Sequence, residues 1–173
     1  VDRLVLIQEN GKPFGEEYTL VAVADYILSR YTGEPSCTVS NLSSSRALRD
    51  IAEKHGHTAY AAAVGEVNVV SRMKEKGAVI GGEGNGGIIV PDFHYGRDAL
   101  IGIALVLSHL ARGGKTLSEL RKEYPNYSIV KKKAELSAGT DMERILSKVK
   151  DKYSDQQLDE TDGIRIDFPE KRE

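Results

Sequence analysis

Glu83 and Asn85 stand in "IGGEGNGGIIVPDFHYGRDA", residues 80–99, where five glycines fall among the eight residues 81–88. A carboxylate accepts hydrogen bonds from hydroxyls, and an amide both donates and accepts. The pair therefore matches the neighbouring hydroxyls of a sugar, with the glycines letting the backbone approach it. Neither group could carry out bond chemistry on a sugar alone. The plain alternative is a glycine-rich turn between two strands with Glu83 and Asn85 in water. Gly82, Gly84 and Gly87 also satisfy G-x-G-x-x-G. A dinucleotide fingerprint needs a helix next, and "IIVPDF" follows instead, so that mechanism is set aside.

A second candidate is "NLSSSRAL", where Ser43, Ser44 and Ser45 lie between a β-like run and a helix, with Arg46 on its first turn. Hydroxyls and free N–H groups at a helix N-terminus make an anion site, or simply a cap with spare serines. In "AVGEVNVV", Gly65 turns the chain and Glu66 opens a helix, a usual place for compensating the helix dipole. In "HYGRDA", Asp98 reads as a helix cap and Arg97 as a residue holding the loop. His55, His57 and His109 lack ligand spacing, so no zinc site is expected. Lys131 to Lys133 read as a solvated edge.

The elements that must position these groups alternate. "RLVLI" is strand-like and runs into an Asn-Gly turn, and "EEYTLVAVADYILSRY" has helical apolar spacing. "CTVSNL" is β-rich, and "SSSRALRDIAEKHG" is a helix stopped by Gly56. "HTAYAAAV" is a weaker strand, "GEVNVVSRMKEKG" a helix, and "AVIGG" a buried strand ending at the glycine loop. "GIIVP" continues as a strand, "RDALIGIALVLSHLA" is an apolar helix, and "TLSELRKEYP" opens with a Thr116–Glu119 capping box. The fold class expected is α/β, a mostly parallel sheet with flanking helices, with the site at the carboxyl ends of its strands.

From about residue 126 the chain is more charged. It offers a helix in "TDMERILSKVKDKY" with a capping box from Thr140 to Glu143, then the strand-like "GIRIDF". This reads as an incomplete α+β C-terminal piece. With 173 residues, 40% hydrophobic and 29% charged, the composition is that of an ordinary globular protein. Lys and Arg total 24 against 26 Asp and Glu, which gives no reason to expect nucleic-acid binding. The single Cys37 cannot build a disulfide framework, and no apolar run suits a bilayer. A cytoplasmic location without membrane or nucleic-acid partners is expected. The start at Val1, directly into "VDRLVLI", suggests a piece of a longer chain.

Taken together, "VDRLVLI", "FGEEYTL", "NLSSSRAL", "VGEVNVV" and "GGEGNGGIIVPDFHYGRDALIGIAL" resemble the α-D-phosphohexomutase family over nearly the whole chain. The resemblance implies four domains in a full-length member: residues 1–15 would close the second, metal-loop domain, 16–125 form the sugar-binding third, and 126–173 begin the fourth. It implies phosphoryl transfer from an active-site phosphoserine, through a sugar bisphosphate intermediate, that interconverts hexose 1-phosphate and 6-phosphate. Glucosamine, glucose and mannose are the candidate sugars, with glucosamine preferred on overall resemblance. "VDR" matches the close of the family's Mg²⁺ loop, with Asp2 as its last carboxylate and Arg3 beside it; the two earlier aspartates are absent.

"GEGNG" matches the family's sugar loop, with Asn85 where Ser is common. Some members carry Lys where Ser43 stands and His where Glu66 stands, both facing the ligand. The substrate-binding set implied is thus Arg3, Ser43, Ser45, Glu66, Glu83 and Asn85. The phosphoserine is not in this chain, so the chain alone is expected to be inactive. A competing expectation is a standalone, non-catalytic sugar- or anion-binding module. Oligomeric state stays open.

Overall fold

The computed structural model describes residues 2–130, 134–137 and 139–168. The chain forms two compact units, Val1–Tyr127 and Ser128–Glu173. In the first unit the elements are α1 (Glu16–Leu28), β1 (Cys37–Asn41), α2 (Ala47–Lys54), β2 (Thr58–Ala62), α3 (Glu66–Lys76), β3 (Ile80–Glu83), β4 (Gly87–Ile89), α4 (Ala99–Gly113) and α5 (Leu117–Lys122).

The sheet runs in the order β2-β1-β3-β4. β1 pairs parallel with β2 and with β3, while β3 and β4 are antiparallel. The parallel core follows from the helices threaded between β1, β2 and β3, since parallel neighbours need a crossover connection. β3 and β4 need none, because Gly84, Asn85 and Gly86 close the hairpin between the paired Glu83 and Gly87. Gly86, at φ 84°, takes the left-handed position that a three-residue hairpin loop demands.

Side chains alternate across the sheet. Ile80 and Ile88 face a core with α1, α2 and α4, including Leu20, Val23, Leu48, Ile51 and Val106. Val39, Cys37 and Ile89 face the other way, against Val69 and Met73 of α3. α1 is enclosed: every residue from Tyr18 to Asp25 is buried. Each large apolar side chain sealed there contributes about 1.5–3 kcal/mol. α4 is capped by Asp98, whose Oδ1 accepts from the Leu100 and Ile101 N–H groups at 2.8 and 3.1 Å. α5 begins with the expected Thr116–Glu119 capping box.

Two local expectations are corrected. "RLVLI" forms no ladder, only an isolated bridge between Ile7 and Pro13. Hydrogen bonds from Gln8 N–H to the Lys12 carbonyl and from Phe14 N–H to the Leu6 carbonyl, both 2.9 Å, close that bridge. Beyond it the chain turns to the sheet, where Leu4 donates to the Gly86 carbonyl at 2.9 Å. Residues 2–15 thereby belong to the same compact unit as the sheet. In the second unit, α6 (Met142–Lys152) is capped by Asp141, which accepts from Arg144 N at 3.0 Å. Thr140 turns its hydroxyl back to the Ser137 carbonyl at 2.7 Å, so the Thr140–Glu143 box does not form. β5 (Gln157–Asp159), which the sequence did not announce, pairs antiparallel with β6 (Arg165–Asp167). Lys131 to Lys133 lie outside the described residues.

Candidate functional site

The loops after β1, β2 and β3 share one edge of the sheet because the three strands are parallel. Asn41 closes β1, Glu66 opens α3 after β2, and Glu83 closes β3. Glu83 is 5% exposed. Its Oε1 accepts from Asn41 Nδ2 at 2.8 Å, and its Oε2 from Arg97 Nη1 at 2.9 Å and Asn85 Nδ2 at 3.5 Å. A buried carboxylate needs such donors, since an unpaired one costs several kcal/mol.

Arg97 connects the carboxylates. Nη2 lies 2.7 Å from Asp2 Oδ2, and the backbone N–H donates to Glu66 Oε1 at 3.2 Å. Its buried Nε is 3.0 Å from Glu66 Oε2, an ion pair whose angle falls short of a hydrogen bond. Three carboxylates from three segments thus meet one guanidinium.

The serine run does something other than expected. Ser44, rather than Ser43 or Ser45, reaches the glycine loop: its Oγ donates to Asn41 Oδ1 at 2.8 Å and accepts from Gly84 N at 2.9 Å. Ser45 is spent on its own chain, its N–H donating to Glu17 Oε2 at 2.9 Å and its Oγ accepting from Ala47 N at 3.2 Å. The N–H expected to greet an anion therefore meets a carboxylate. Ser43 is exposed at the same turn, and Arg46 sits at the cap of α2 rather than on its first turn. Arg3 is exposed, and no described contact joins it to the cluster.

The glycines have partners within the protein. A Cβ on Gly84 would collide with the Glu17 carboxylate, and one on Gly87 would stand 2.5 Å from Arg97 Cδ. The open backbone makes room for these two side chains. Asn85 Oδ1 accepts from Gly87 N at 3.2 Å and so helps hold the turn.

Asp2 pairs with Arg97, and among the described residues no group of three or more His, Cys, Asp or Glu is arranged to hold a metal ion. Mg²⁺ demands near-octahedral oxygen ligation. The described residues do not fit it unaided.

Sequence reasoning gave Arg97 a loop-holding role, named Ser44 only within the serine run, and overlooked Asn41 and Glu17. A signal existed for Asn41, a polar residue closing a β run at the edge where sites gather. Glu17 had none, because its reach to the glycine loop is a tertiary fact.

The family model for phosphoglucomutase/phosphomannomutase, alpha/beta/alpha domain III, matches residues 15–127. The chain belongs to this family. A phosphoglucomutase/phosphomannomutase of Thermococcus kodakarensis is 36% identical over 169 residues, covering 96% of this chain and 36% of that relative. A phosphoglucosamine mutase of a Sulfurovum species is 33% identical over 128 residues, covering 73% of this chain and 28% of that relative. The crystal structure of a phosphoglucomutase/phosphomannomutase family protein from Burkholderia thailandensis shares the fold. It has a TM-score of 0.75 at 23% identity, over 97% of this chain and 36% of that one. The chain spans about a third of the length of these curated relatives. Among the described residues, no helix of this family member is long and apolar enough to cross a membrane.

Proposed function

We propose that this chain is the sugar-binding part of a phosphohexose mutase, which moves a phosphate between the 1- and 6-positions of a hexose. The observation that carries the reading is Glu83, buried at the end of β3 with Asn85 beside it, on the edge where the parallel strands all end. A carboxylate and an amide there can take two neighbouring hydroxyls. When the sugar reverses between the two half-reactions, those hydroxyls exchange places, so one pair of groups serves both orientations.

In this reading the phosphoserine that gives and recovers the phosphate, and the carboxylates that complete a Mg²⁺ site with Asp2, lie in the rest of the protein. This chain binds and orients the bisphosphate intermediate. Around Arg97, three carboxylates face one guanidinium. That excess of negative charge suits an amino sugar, and glucosamine phosphate is the substrate we put first. A cytoplasmic enzyme acting on soluble sugar phosphates fits the reading.

In the full-length protein, Glu83→Ala is expected to lower kcat/KM by about 100-fold, as lost contacts to a buried charged group imply. An unchanged kcat/KM removes the sugar-loop assignment. The 173-residue chain by itself is expected to show no turnover with glucosamine, glucose or mannose phosphates; detectable isomerisation by it overturns the placement of the nucleophile elsewhere.

A further inference from the structure

Arg97 lies on the loop between β4 and α4, outside every group assigned to the sugar above. Its stem crosses Gly87, and its guanidinium, 16% exposed, reaches Asp2, Glu66 and Glu83. Guanidinium offers five donors in a planar fork and cannot be neutralised, so it can fix several carboxylates at once.

Glu83 has little acceptor capacity left. Asn41 holds Oε1 from the end of a strand whose register with both neighbours is set, whereas Arg97 and Asn85 hold Oε2 from loops. Arg97 is also anchored at one side only to Asp2, itself 56% exposed. A hydroxyl that approaches Glu83 must share Oε2 with Arg97.

Neither Ser43 nor Glu66, both in the substrate-binding set, supplies a positive charge. Arg97 lies directly against Glu66 and supplies one from a different element.

Resting on the sugar-loop reading, we propose that Arg97 is the positioning residue of this site: it fixes Glu83 and Glu66 as acceptors and provides the positive charge that positions 43 and 66 lack. Without it, three carboxylates would face one another and the incoming phosphorylated sugar.

The test uses the full-length protein with glucosamine, glucose and mannose phosphates, melting curves for every variant, and Glu83→Gln measured in parallel. Arg97→Met is expected to raise KM about 10- to 100-fold with kcat within a few-fold, the pattern of lost binding. Arg97→Lys, and Arg97→Met combined with Glu66→His, are each expected to recover part of that loss, because each returns a cation. If Arg97→Met does not fold, Arg97→Gln, which keeps N–H donors without charge, carries the same comparison. Three results overturn the inference while leaving the sugar loop standing, provided Glu83→Gln still raises KM. They are an unchanged KM, a fall in kcat alone, and a KM rise that neither cation restores. If Glu83→Gln is silent, the sugar-loop reading falls and the inference with it.

Discussion

Asp25 and Glu83 are both carboxylates at 5% exposure, and they do different work. Asp25 sits in the helix layer. Burial alone would raise its carboxyl, but the hydrogen bond from His55, then Lys54, His109 and Tyr124, outweigh it and hold the group below the usual carboxylate range. His55 Nε2 is 2.6 Å from Oδ1, and the Tyr124 hydroxyl donates to Oδ2 at 3.1 Å. These partners tie α1 to α2, α4 and the turn after α5. Glu83 is equally well supplied with donors, yet they stand at one strand end and on two loops, and its cluster runs outward through half-buried Glu66 to exposed Asp2. A satisfied buried carboxylate is therefore no sign of a site in itself. Place in the topology is what sets the proposed binding group, Glu83, apart from the brace, Asp25.

Substitutions can break or sharpen this contrast. The largest effect is expected from Asp25→Asn, which leaves buried partners facing an amide. It should cost about 3 kcal/mol in thermal unfolding while leaving the KM of the full-length protein unmoved. A raised KM would erase the distinction. Next, Gly82→Ala should cost about 2 kcal/mol, because the added Cβ meets the Gly87 carbonyl of the paired strand, which cannot swing aside. Here melting temperature and KM should worsen together, since β3 and β4 flank the loop proposed to bind the sugar; a change in only one would uncouple them.

The acid limb is smaller in size and sharper in meaning. With its folded value depressed, Asp25 contributes stability that is complete above the ordinary carboxylate value of about 3.9 and is lost as pH falls through the lower folded value. Acid unfolding followed by circular dichroism should lose part of its steepness there in Asp25→Asn; an identical limb in both proteins would deny Asp25 its bracing role. Least of all, Tyr127→Phe removes a 2.7 Å hydrogen bond to Asp50 and should cost about 1 kcal/mol, without effect on sugar binding.

The helices and the parallel strands were legible because their apolar spacing matches one-sided burial, and Asp98 and Thr116 announced their caps. "RLVLI" misled because β-rich residues fit any half-buried extended segment, and here Leu4 bonds the Gly86 carbonyl rather than extending the Ile7–Pro13 bridge. Glu83 and Asn85 were singled out from their glycine loop, whereas Glu66 read as helix-dipole compensation and joined the set only through the family resemblance. Ser44 was passed over for its two neighbours, since which of three adjacent hydroxyls faces the glycine loop depends on how α2 docks. Arg97 was read as a support; its contact with carboxylates 14, 31 and 95 residues away in sequence leaves no local trace.

Gly82, Gly84 and Gly87 each border a different part of this protein: a strand backbone, a glutamate and an arginine stem. Replacing any of them would disturb the scaffold, whatever the site does. A gene copy that had lost its turnover would go on spelling this loop for as long as it had to fold. Recognising these glycines in a sequence consequently reports the architecture and not, by itself, the chemistry.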